Sequence, residues 1–185
     1  MCERRSALAG WLLLASFAAG CDPRSQPTTA RSPSTAASDL VRQGVAAQVA
    51  GNPEAAKRAF MQALVADPAN ALAQYNLGAL AQGAGDTAAA EQFYQKAADH
   101  TPPYGPALYN LGTLATARRD DGAAERYFRG AIAANQRDAA AHFNLGLLLR
   151  GKGDLSAAVK EINLAVQLDP SLSAKLATPT PRATP

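Results

Sequence analysis

Residues 73–97 read AQYNLGALAQGAGDTAAAEQFYQKA, and residues 107–131 read ALYNLGTLATARRDDGAAERYFRGA, the same pattern 34 places further along the chain. Four glycines share this spacing: Gly44, Gly78, Gly112 and Gly146. Aligned on them, the chain divides without gaps into four blocks, residues 37–70, 71–104, 105–138 and 139–172. A fixed period of this length indicates one supersecondary unit stacked repeatedly on itself.

Each block contains two apolar stretches at helical spacing, separated by a short turn. The turns are Gly51-Asn52-Pro53, Gly85-Asp86, Arg119-Asp120 and Gly153-Asp154. Asn and Asp side chains accept hydrogen bonds from the first free amides of a helix, and Pro at the first helical position needs no amide partner. Each turn is therefore expected to end one helix and cap the next.

The blocks also share residue sizes at fixed places. The twentieth place is Ala56, Ala90, Ala124 and Ala158; the twenty-fourth is Phe60, Tyr94, Phe128 and Ile162; the twenty-seventh is Ala63, Ala97, Ala131 and Ala165. Small side chains at helix contacts let two backbones approach closely, so the specificity of helix packing depends on how well the two surfaces fit. Because about three units are needed for a continuous core, the four blocks are expected to fold together.

This pattern closely resembles the tetratricopeptide repeat family, whose units also carry Pro near their ends, here Pro68, Pro102 and Pro170. Gln136 replaces that Pro in the third block, and Gln43 replaces the Leu before the glycine in the first. The resemblance implies an all-α fold, a right-handed superhelical solenoid of four helix-turn-helix units at 37–70, 71–104, 105–138 and 139–172. Disordered tails are expected at both ends.

The first 20 residues are typical of a bacterial secretion signal. Arg4 and Arg5 give a positive start, and residues 7–19 give an apolar run of 13. That run is shorter than the about 20 residues that span a bilayer. Small residues precede Cys21, which resembles a lipoprotein signal cleaved before a lipidated, and often additionally acylated, cysteine. Ala18 stands where most such signals have Leu, and the alternative is an ordinary cleaved signal with a free thiol at Cys21.

Two acyl chains or more would anchor the protein stably, since each buried methylene contributes about 0.8 kcal/mol. The expected location is therefore the cell envelope, with the repeats periplasmic or extracellular. Asp22 resembles the retention signal of enteric lipoproteins and slightly favours the inner membrane. Residues 21–36 are rich in Pro, Ser, Thr and Ala and are expected to form a flexible linker. Residues 173–185 are expected to form a short cap and a second disordered tail.

Charge and reactive side chains exclude several functions. Residues 37–172 contain 12 Lys and Arg against 13 Asp and Glu, a formal charge of −1, without a basic stripe, so nucleic-acid binding is not expected. Cys2 and Cys21 are the only cysteines. His142 stands at a core-side place and His100 near a helix C-terminus, and neither has the neighbours of a catalytic triad. No enzyme activity, metal site or cofactor is predicted.

The resemblance places a partner groove on the first helix of each unit. Its fifth and sixth places carry Tyr75 and Asn76, Tyr109 and Asn110, Phe143 and Asn144, with Arg42 at the sixth place of the first block. Stacked asparagines can bind the backbone of an extended peptide, as in the asparagine ladder of O-linked N-acetylglucosamine transferase, and aromatic residues serve as binding anchors. The alternative is that these residues only pack between repeats. The terminal-carboxylate clamp of chaperone co-factors is not matched, because Val41, Val45 and Pro106 occupy its places.

The last helix carries a second candidate surface. Leu155, Val159, Ile162 and Val166 follow helical spacing on one side. Either the short piece after residue 170 caps this stripe, which we favour, or the stripe is an interface for a partner or for weak self-association.

Together these features predict a membrane-anchored scaffold that binds a protein or peptide partner, for assembly of an envelope complex. The alternatives are an adaptor or regulator of an envelope protease or cell-wall enzyme, and a self-associating structural subunit.

Overall fold

The computed structural model describes residues 33–177. All regular elements in this part of the chain are α-helices: α1 Pro33–Val49, α2 Pro53–Ala66, α3 Ala71–Gly83, α4 Thr87–Ala98, α5 Gly105–Ala117, α6 Asp121–Ala134, α7 Ala139–Gly151, α8 Leu155–Leu168 and α9 Leu172–Ala177. The predicted signal peptide, Cys21, Asp22 and most of the predicted linker and C-terminal tail lie outside the described residues.

Helices α1 to α8 form four antiparallel pairs, and each pair packs on the next to build the solenoid. We call these pairs repeats 1 to 4. Their boundaries follow the predicted blocks, since α3, α5 and α7 begin at Ala71, Gly105 and Ala139. The core runs along the whole array, and its largest fully buried side chains are Tyr94, Phe60, Phe128, Leu77 and Leu111. The predicted all-helical repeat fold is confirmed.

The four predicted turns cap the second helix of each repeat. The side chains of Asn52, Asp86, Asp120 and Asp154 each accept a hydrogen bond from the backbone amide three residues later. The glycines of three turns have positive φ, 73° at Gly51, 81° at Gly85 and 86° at Gly153. In the third repeat, Arg119 occupies this place with φ 60°. Arg119 therefore has the left-handed backbone conformation that a glycine has in each of the other three turns.

The glycines that define the period lie against the large side chain at the twenty-fourth place. A Cβ added to Gly78 would lie 2.7 Å from Tyr94 Cδ1, and one added to Gly112 would lie 2.6 Å from Phe128 Cε1. Gly44 faces Phe60 and Gly146 faces Ile162 in the same way. Glycine is therefore required at these places by the close approach of two helices.

Ion pairs bridge two of the three junctions between repeats. Glu91 of repeat 2 pairs with Arg118 of repeat 3, and Glu125 of repeat 3 pairs with Lys152 of repeat 4. The Lys152 ammonium holds the pKa of Glu125 below its usual value. The acidic residue occupies the twenty-first place of one repeat and the basic residue the fourteenth place of the next.

Helix α1 begins earlier than the sequence predicts. The predicted linker extended to residue 36, whereas the structure places Pro33 in the first turn of α1. Pro fits this position because the first helical amides have no intrahelical acceptor. The extra turn continues into Ala37, which is fully buried, so the last four residues of the predicted linker belong to the folded array.

Helix α9 caps the C-terminal end of the array. Leu172 is 6% exposed and packs in a cluster with Phe143 and Ala165. Val166 lies partly buried against the same cluster. The short piece after residue 170 therefore covers the C-terminal half of α8. None of the helices within residues 33–177 has the length and apolar character required to cross a membrane.

Candidate functional site

The three asparagines at the sixth place lie on successive first helices, α3, α5 and α7, and all are half-buried. Each belongs to the first or second turn of its helix, so the regular stacking of repeats brings them into one row. We call Asn76, Asn110 and Asn144 the asparagine row. The row is continuous over repeats 2 to 4.

The amides of this row already make contacts inside the array. Asn144 Nδ2 donates to the Tyr109 hydroxyl at 2.9 Å, which joins repeat 4 to repeat 3. Asn110 makes a hydrogen bond to the Tyr94 hydroxyl, joining repeats 3 and 2. Asn76 Nδ2 instead donates to Leu72 O of its own helix at 2.7 Å. Within residues 33–177 the Oδ1 atoms of Asn76 and Asn144 accept no hydrogen bond, so these oxygens can receive a donor from a partner.

The aromatic residue of repeat 2 packs within a cluster of tyrosines. The Tyr75 ring centroid lies 5.7 Å from that of Tyr94 and 5.2 Å from that of Tyr104. Tyr94 donates its hydroxyl to Gln82 Oε1 at 2.7 Å. Burial and the neighbouring Tyr75 raise the pKa of Tyr94 to about 12, against the opposing hydrogen bond from Asn110. Burial, and next Tyr75, also raise the pKa of Tyr104.

The other two predicted aromatic anchors differ in exposure. Tyr109 is half-buried, with its ring centroid 6.0 Å from that of Phe128. Phe143 is 6% exposed and packs beneath Leu172. The prediction that Phe143 lines the groove is therefore corrected, because α9 covers the end of the array and makes Phe143 a core residue. Tyr75 and Tyr109 remain half-buried, with a packed ring and a polar hydroxyl.

Arg42, the sixth-place residue of repeat 1, does not extend the asparagine row. Its side chain is 78% exposed and pairs with Asp39 one turn earlier in α1. An exposed ion pair of this kind contributes little stability, about 0–1 kcal/mol. Arg42 therefore remains an accessible cation at the N-terminal end of the array.

A cavity of about 480 Å³ lies beside the asparagine row between repeats 3 and 4. It is lined by Asn144, Leu147, Leu148 and Gly151 of α7 and by Thr113, Thr116, Asp121 and Phe128 of repeat 3. Thr113 and Thr116 donate their hydroxyls to backbone carbonyls of α5, at 2.7 Å and 2.9 Å. An apolar wall beside amides and hydroxyls is the composition expected of a site for a peptide side chain.

The predicted stripe on α8 is divided between two environments. Ile162 packs on Gly146, and Val166 lies against the Leu172 cluster. Leu155 is 63% exposed and Val159 is 56% exposed. The favoured alternative, a cap formed by the piece after residue 170, accounts for Val166, and Ile162 is a packing residue. The other alternative, an interface, is restricted to Leu155 and Val159 at the start of α8.

Both histidines contact polar groups of neighbouring residues in the array. His142 is 5% exposed, with Nδ1 2.6 Å from Glu161 Oε2 and Nε2 3.1 Å from the Gln136 carbonyl oxygen. It joins α7 to α8 and to the turn before α7. His100 follows the end of α4, with Nδ1 3.2 Å from the Pro102 carbonyl oxygen. No group of three potential metal ligands comes together within residues 33–177.

Sequence reasoning missed the residues that shape the junctions between repeats. The sequence patterns assigned no role to the fourteenth and twenty-first places of the repeats. The residue types at these two places nevertheless change along the chain. At the twenty-first place they are Lys57, Glu91, Glu125 and Val159, and at the fourteenth Ala50, Ala84, Arg118 and Lys152. This change was visible in the alignment of the blocks, but only the structure shows that the two places meet across a junction.

These features define a helical-repeat solenoid with a row of polar side chains on its first helices. A family model for the tetratricopeptide repeat matches residues 41–106 and 107–173, and the chain belongs to that family. Members of this family typically serve as scaffolds for protein interaction.

Several solved structures share the fold. The crystal structure of MamA is 24% identical over 75% of this chain and 81% of that chain, with a TM-score of 0.62. PilF of Pseudomonas aeruginosa is 21% identical over 75% of this chain and 63% of its own, with a TM-score of 0.65. YrrB, described as a TPR protein with an unusual peptide-binding site, is 23% identical over 73% of this chain and 70% of its own, with a TM-score of 0.62. No curated protein sequence matches the chain.

Proposed function

We propose that this protein is a membrane-tethered scaffold that holds a peptide segment of a partner protein along the first helices of its repeats. The observation that carries the proposal is the asparagine row, whose Asn76 and Asn144 oxygens are free of hydrogen bonds from the described residues. Amide oxygens at regular spacing can accept backbone N–H groups from an extended segment whatever its sequence. The peptide-binding site named for YrrB supports the same kind of ligand here.

The tether rests on the N-terminal sequence. A basic start, an apolar run and small residues precede Cys21, and a lipidated Cys21 would hold the repeats at a membrane surface of the bacterial envelope. Residues 22–32 then separate the lipid from α1. The proposed role at that surface is assembly of an envelope complex, with Asp22 favouring the inner membrane. A partner that is an envelope protease or cell-wall enzyme would make the same scaffold an adaptor or regulator.

The binding face is tested most cleanly at Asn76. Its side chain makes no hydrogen bond to another repeat, so Asn76→Ala removes the partner contact without weakening a junction. Cross-linking in the source cell followed by mass spectrometry identifies the partner, and affinity is then measured with the purified pair. We expect Asn76→Ala to weaken binding by about 1–3 kcal/mol. Asn163→Ala, an exposed asparagine on α8, is the matched control, and equal binding by both variants would remove the proposal.

The tether is tested separately. Cells fed a clickable palmitate analogue should label the wild-type chain, and Cys21→Ser should abolish the label. Trp11 is the only tryptophan and lies in the proposed signal, so the processed protein should show tyrosine fluorescence without tryptophan fluorescence. Tryptophan emission from membrane-derived protein would show that the segment is retained.

Self-association is a second candidate function. Leu155 and Val159 are exposed at the start of α8, where a further repeat would dock in a longer array. The corresponding places in repeats 2 and 3 are polar, Thr87 and Glu91, Asp121 and Glu125. An exposed pair of apolar side chains at this end favours contact with another apolar surface.

A further inference from the structure

The outer face of α2 differs from the outer faces of the other second helices. At the twenty-fifth and twenty-ninth places of repeat 1 it carries Met61, which is 48% exposed, and Val65, which is 85% exposed. In repeats 2, 3 and 4 the same two places carry Gln95 and Asp99, Arg129 and Ala133, and Asn163 and Gln167. Among the four repeats, only repeat 1 therefore has two large apolar side chains at these places, one turn apart on one side of the helix.

Two cations lie on the same helix as this apolar pair. Lys57 and Arg58 are exposed, and within residues 33–177 neither is joined to a carboxylate. Arg58 precedes Met61 by three residues, so the two side chains share one side of α2. The only carboxylate of α2 is Glu54, eleven residues before Val65, which separates the two by about 16 Å along the helix axis. The apolar pair is therefore bordered by positive charge, and we call Lys57, Arg58, Met61 and Val65 the α2 face.

The apolar end of the α2 face lies where the predicted linker enters the array. Because α1 and α2 are antiparallel, Val65 near the end of α2 is at the same edge of repeat 1 as Pro33, which begins α1. Residues 22–32 separate Pro33 from Cys21, and eleven residues of the predicted flexible linker have a root-mean-square span of about 17–20 Å. That span is close to the length of α2, about 21 Å. The whole α2 face is therefore within reach of a membrane that holds Cys21.

We propose that the α2 face lies on the surface of the anionic lipid bilayer that holds the tether. Met61 and Val65 would enter the boundary between headgroups and acyl chains, while Lys57 and Arg58 would bind lipid phosphates with the ends of their long side chains. Two apolar side chains and two cations bind a bilayer only weakly on their own, but the tether raises the effective concentration of lipid around repeat 1.

The inference rests on the tether of the proposed function and is independent of the asparagine row. That row lies on the first helices α3, α5 and α7, whereas the α2 face belongs to a second helix. The lipid surface and a partner segment therefore use different helices, and both can be bound at the same time.

The test uses the processed protein, extracted from its own membranes and reconstituted into vesicles of phosphatidylglycerol and phosphatidylcholine. An environment-sensitive fluorophore is attached at Gln62→Cys, an exposed position beside Met61. Gln167→Cys, at an exposed glutamine of α8, is the matched control, and protein without an added cysteine gives the background from Cys21. Nitroxide-labelled lipid should quench the label at residue 62 about threefold more strongly than the label at residue 167. Equal quenching at the two positions would overturn the inference.

Repeat 1 can be given the polar outer face of the other repeats. Met61→Gln combined with Val65→Gln places there the side chains that Gln95 and Gln167 have at the same places. Because both residues are exposed, the melting temperature should be unchanged, and quenching at residue 62 should fall to the level at residue 167. Leu164→Gln, at an exposed leucine of α8, should leave quenching at residue 62 as it is in the wild type. Full quenching in the double variant would contradict the inference.

The role of the two cations is measured in the same vesicles. Lys57→Gln combined with Arg58→Gln should weaken quenching at residue 62, and so should vesicles of phosphatidylcholine alone, because both changes remove the attraction between cations and anionic headgroups. Unchanged quenching under both conditions would show that an anionic surface is not what the α2 face binds.

The outcomes distinguish this inference from the proposed function. If the palmitate analogue labels Cys21 but lipid does not quench residue 62, the tether stands and the α2 face is not a membrane surface. An emission change at residue 62 that grows with protein concentration, without quenching by lipid, would overturn the inference in favour of contact between copies. If residue 62 is quenched while Asn76→Ala and Asn163→Ala bind the partner equally, the α2 face stands and the asparagine row is wrong. If the vesicles retain no protein, the tether and this inference are both wrong.

Discussion

At the eighth place of every repeat, the backbone of the first helix touches the large side chain at the twenty-fourth place. The contact is made by the helix backbone itself, so the missing Cβ is what allows Phe60, Tyr94 and Phe128 to be buried and Ile162 to pack on Gly146. The period of 34 in the sequence is therefore the period of this one contact, repeated four times. Replacing any of these glycines would therefore disturb the packing of the two helices and leave the geometry of the turns unchanged.

Gly112→Ala is expected to destabilise the protein. The added Cβ would lie 2.6 Å from the ring of Phe128, which is 1% exposed and has no free space to move into. Overpacking costs about 1–3 kcal/mol, more than the up to about 1 kcal/mol that Ala gains over Gly in a helix. Urea unfolding followed by circular dichroism measures the loss. In the control Gly151→Ala, no atom lies within 4 Å of the added Cβ, and stability should be unchanged or slightly higher.

Arg119→Gly is expected to stabilise the third turn. Arg119 holds φ 60°, a conformation that costs an L-residue about 1–2 kcal/mol and that glycine adopts without strain. Its side chain forms no ion pair within the described residues, so little is lost with it. The midpoint of urea unfolding should rise by an amount equivalent to about 1 kcal/mol. The reverse change in another turn, Gly153→Ala, should lower it, and a fall in both variants would contradict the strain argument.

At the scale of elements, the tyrosine cluster between α3 and α4 makes stability depend on pH. Tyr94 has a pKa of about 12 in the folded protein, against about 10 in the unfolded chain. A raised pKa means that Tyr94 keeps its proton to a higher pH in the folded state than in the unfolded chain. Its contribution to the free energy of unfolding is therefore complete below pH 10. It is lost as the pH rises through 12.

Tyr94→Phe should therefore flatten the alkaline limb of the stability profile. The variant loses the hydrogen bond to Gln82 at all pH values, but it has no phenol to ionise. Between pH 10 and 12, the free energy of unfolding of the wild type should fall more steeply, by an excess approaching about 1.4 kcal/mol per pH unit. Denaturation by urea at a series of pH values gives both slopes. Identical slopes would show that Tyr94 does not control this limb.

Helix α9 is short, and one side chain carries most of its contact with the array. Leu172 is 6% exposed against Phe143 and Ala165, whereas Leu176 is 37% exposed. Leu172→Ala should destabilise repeat 4 by about 2 kcal/mol through lost burial and the cavity left behind. Hydrogen exchange should accelerate in α7 and α8 more than in α1 and α2. Leu176→Ala is the matched control, and an equal effect of the two changes would contradict the cap.

Sequence patterns predicted the helices and their caps more completely than the contacts of the candidate binding site. The starts of α3, α5 and α7 and all four caps follow from residues that act locally, such as Asp86 and Asp154. The burial of Phe143 could not be predicted, because it depends on where α9 folds back. The bonds of Asn110 and Asn144 to tyrosines of the preceding repeat were also missed, since an amide's partner depends on the distance between repeats.

At the scale of the whole molecule, the C-terminal end of the array is only partly covered. At the C-terminal end, α9 covers Phe143 and Val166 but leaves Leu155 and Val159 exposed. If copies associate through this patch, light scattering should show a mass that grows with protein concentration, and Val159→Lys should hold the mass at that of the monomer. Val65→Lys, at an 85% exposed valine of α2, should leave association unchanged. A constant monomer mass in the wild type would exclude self-association.

The strongest helix contacts all join elements that are consecutive in the chain. Closing such contacts never requires the ends of a long loop to meet, so the entropy lost before the first stabilising contact is small. Folding can begin in any repeat and extend in both directions. A chain that emerges with its N-terminus first can therefore complete repeats 1 and 2, and the packing between them, before residue 172 has been released.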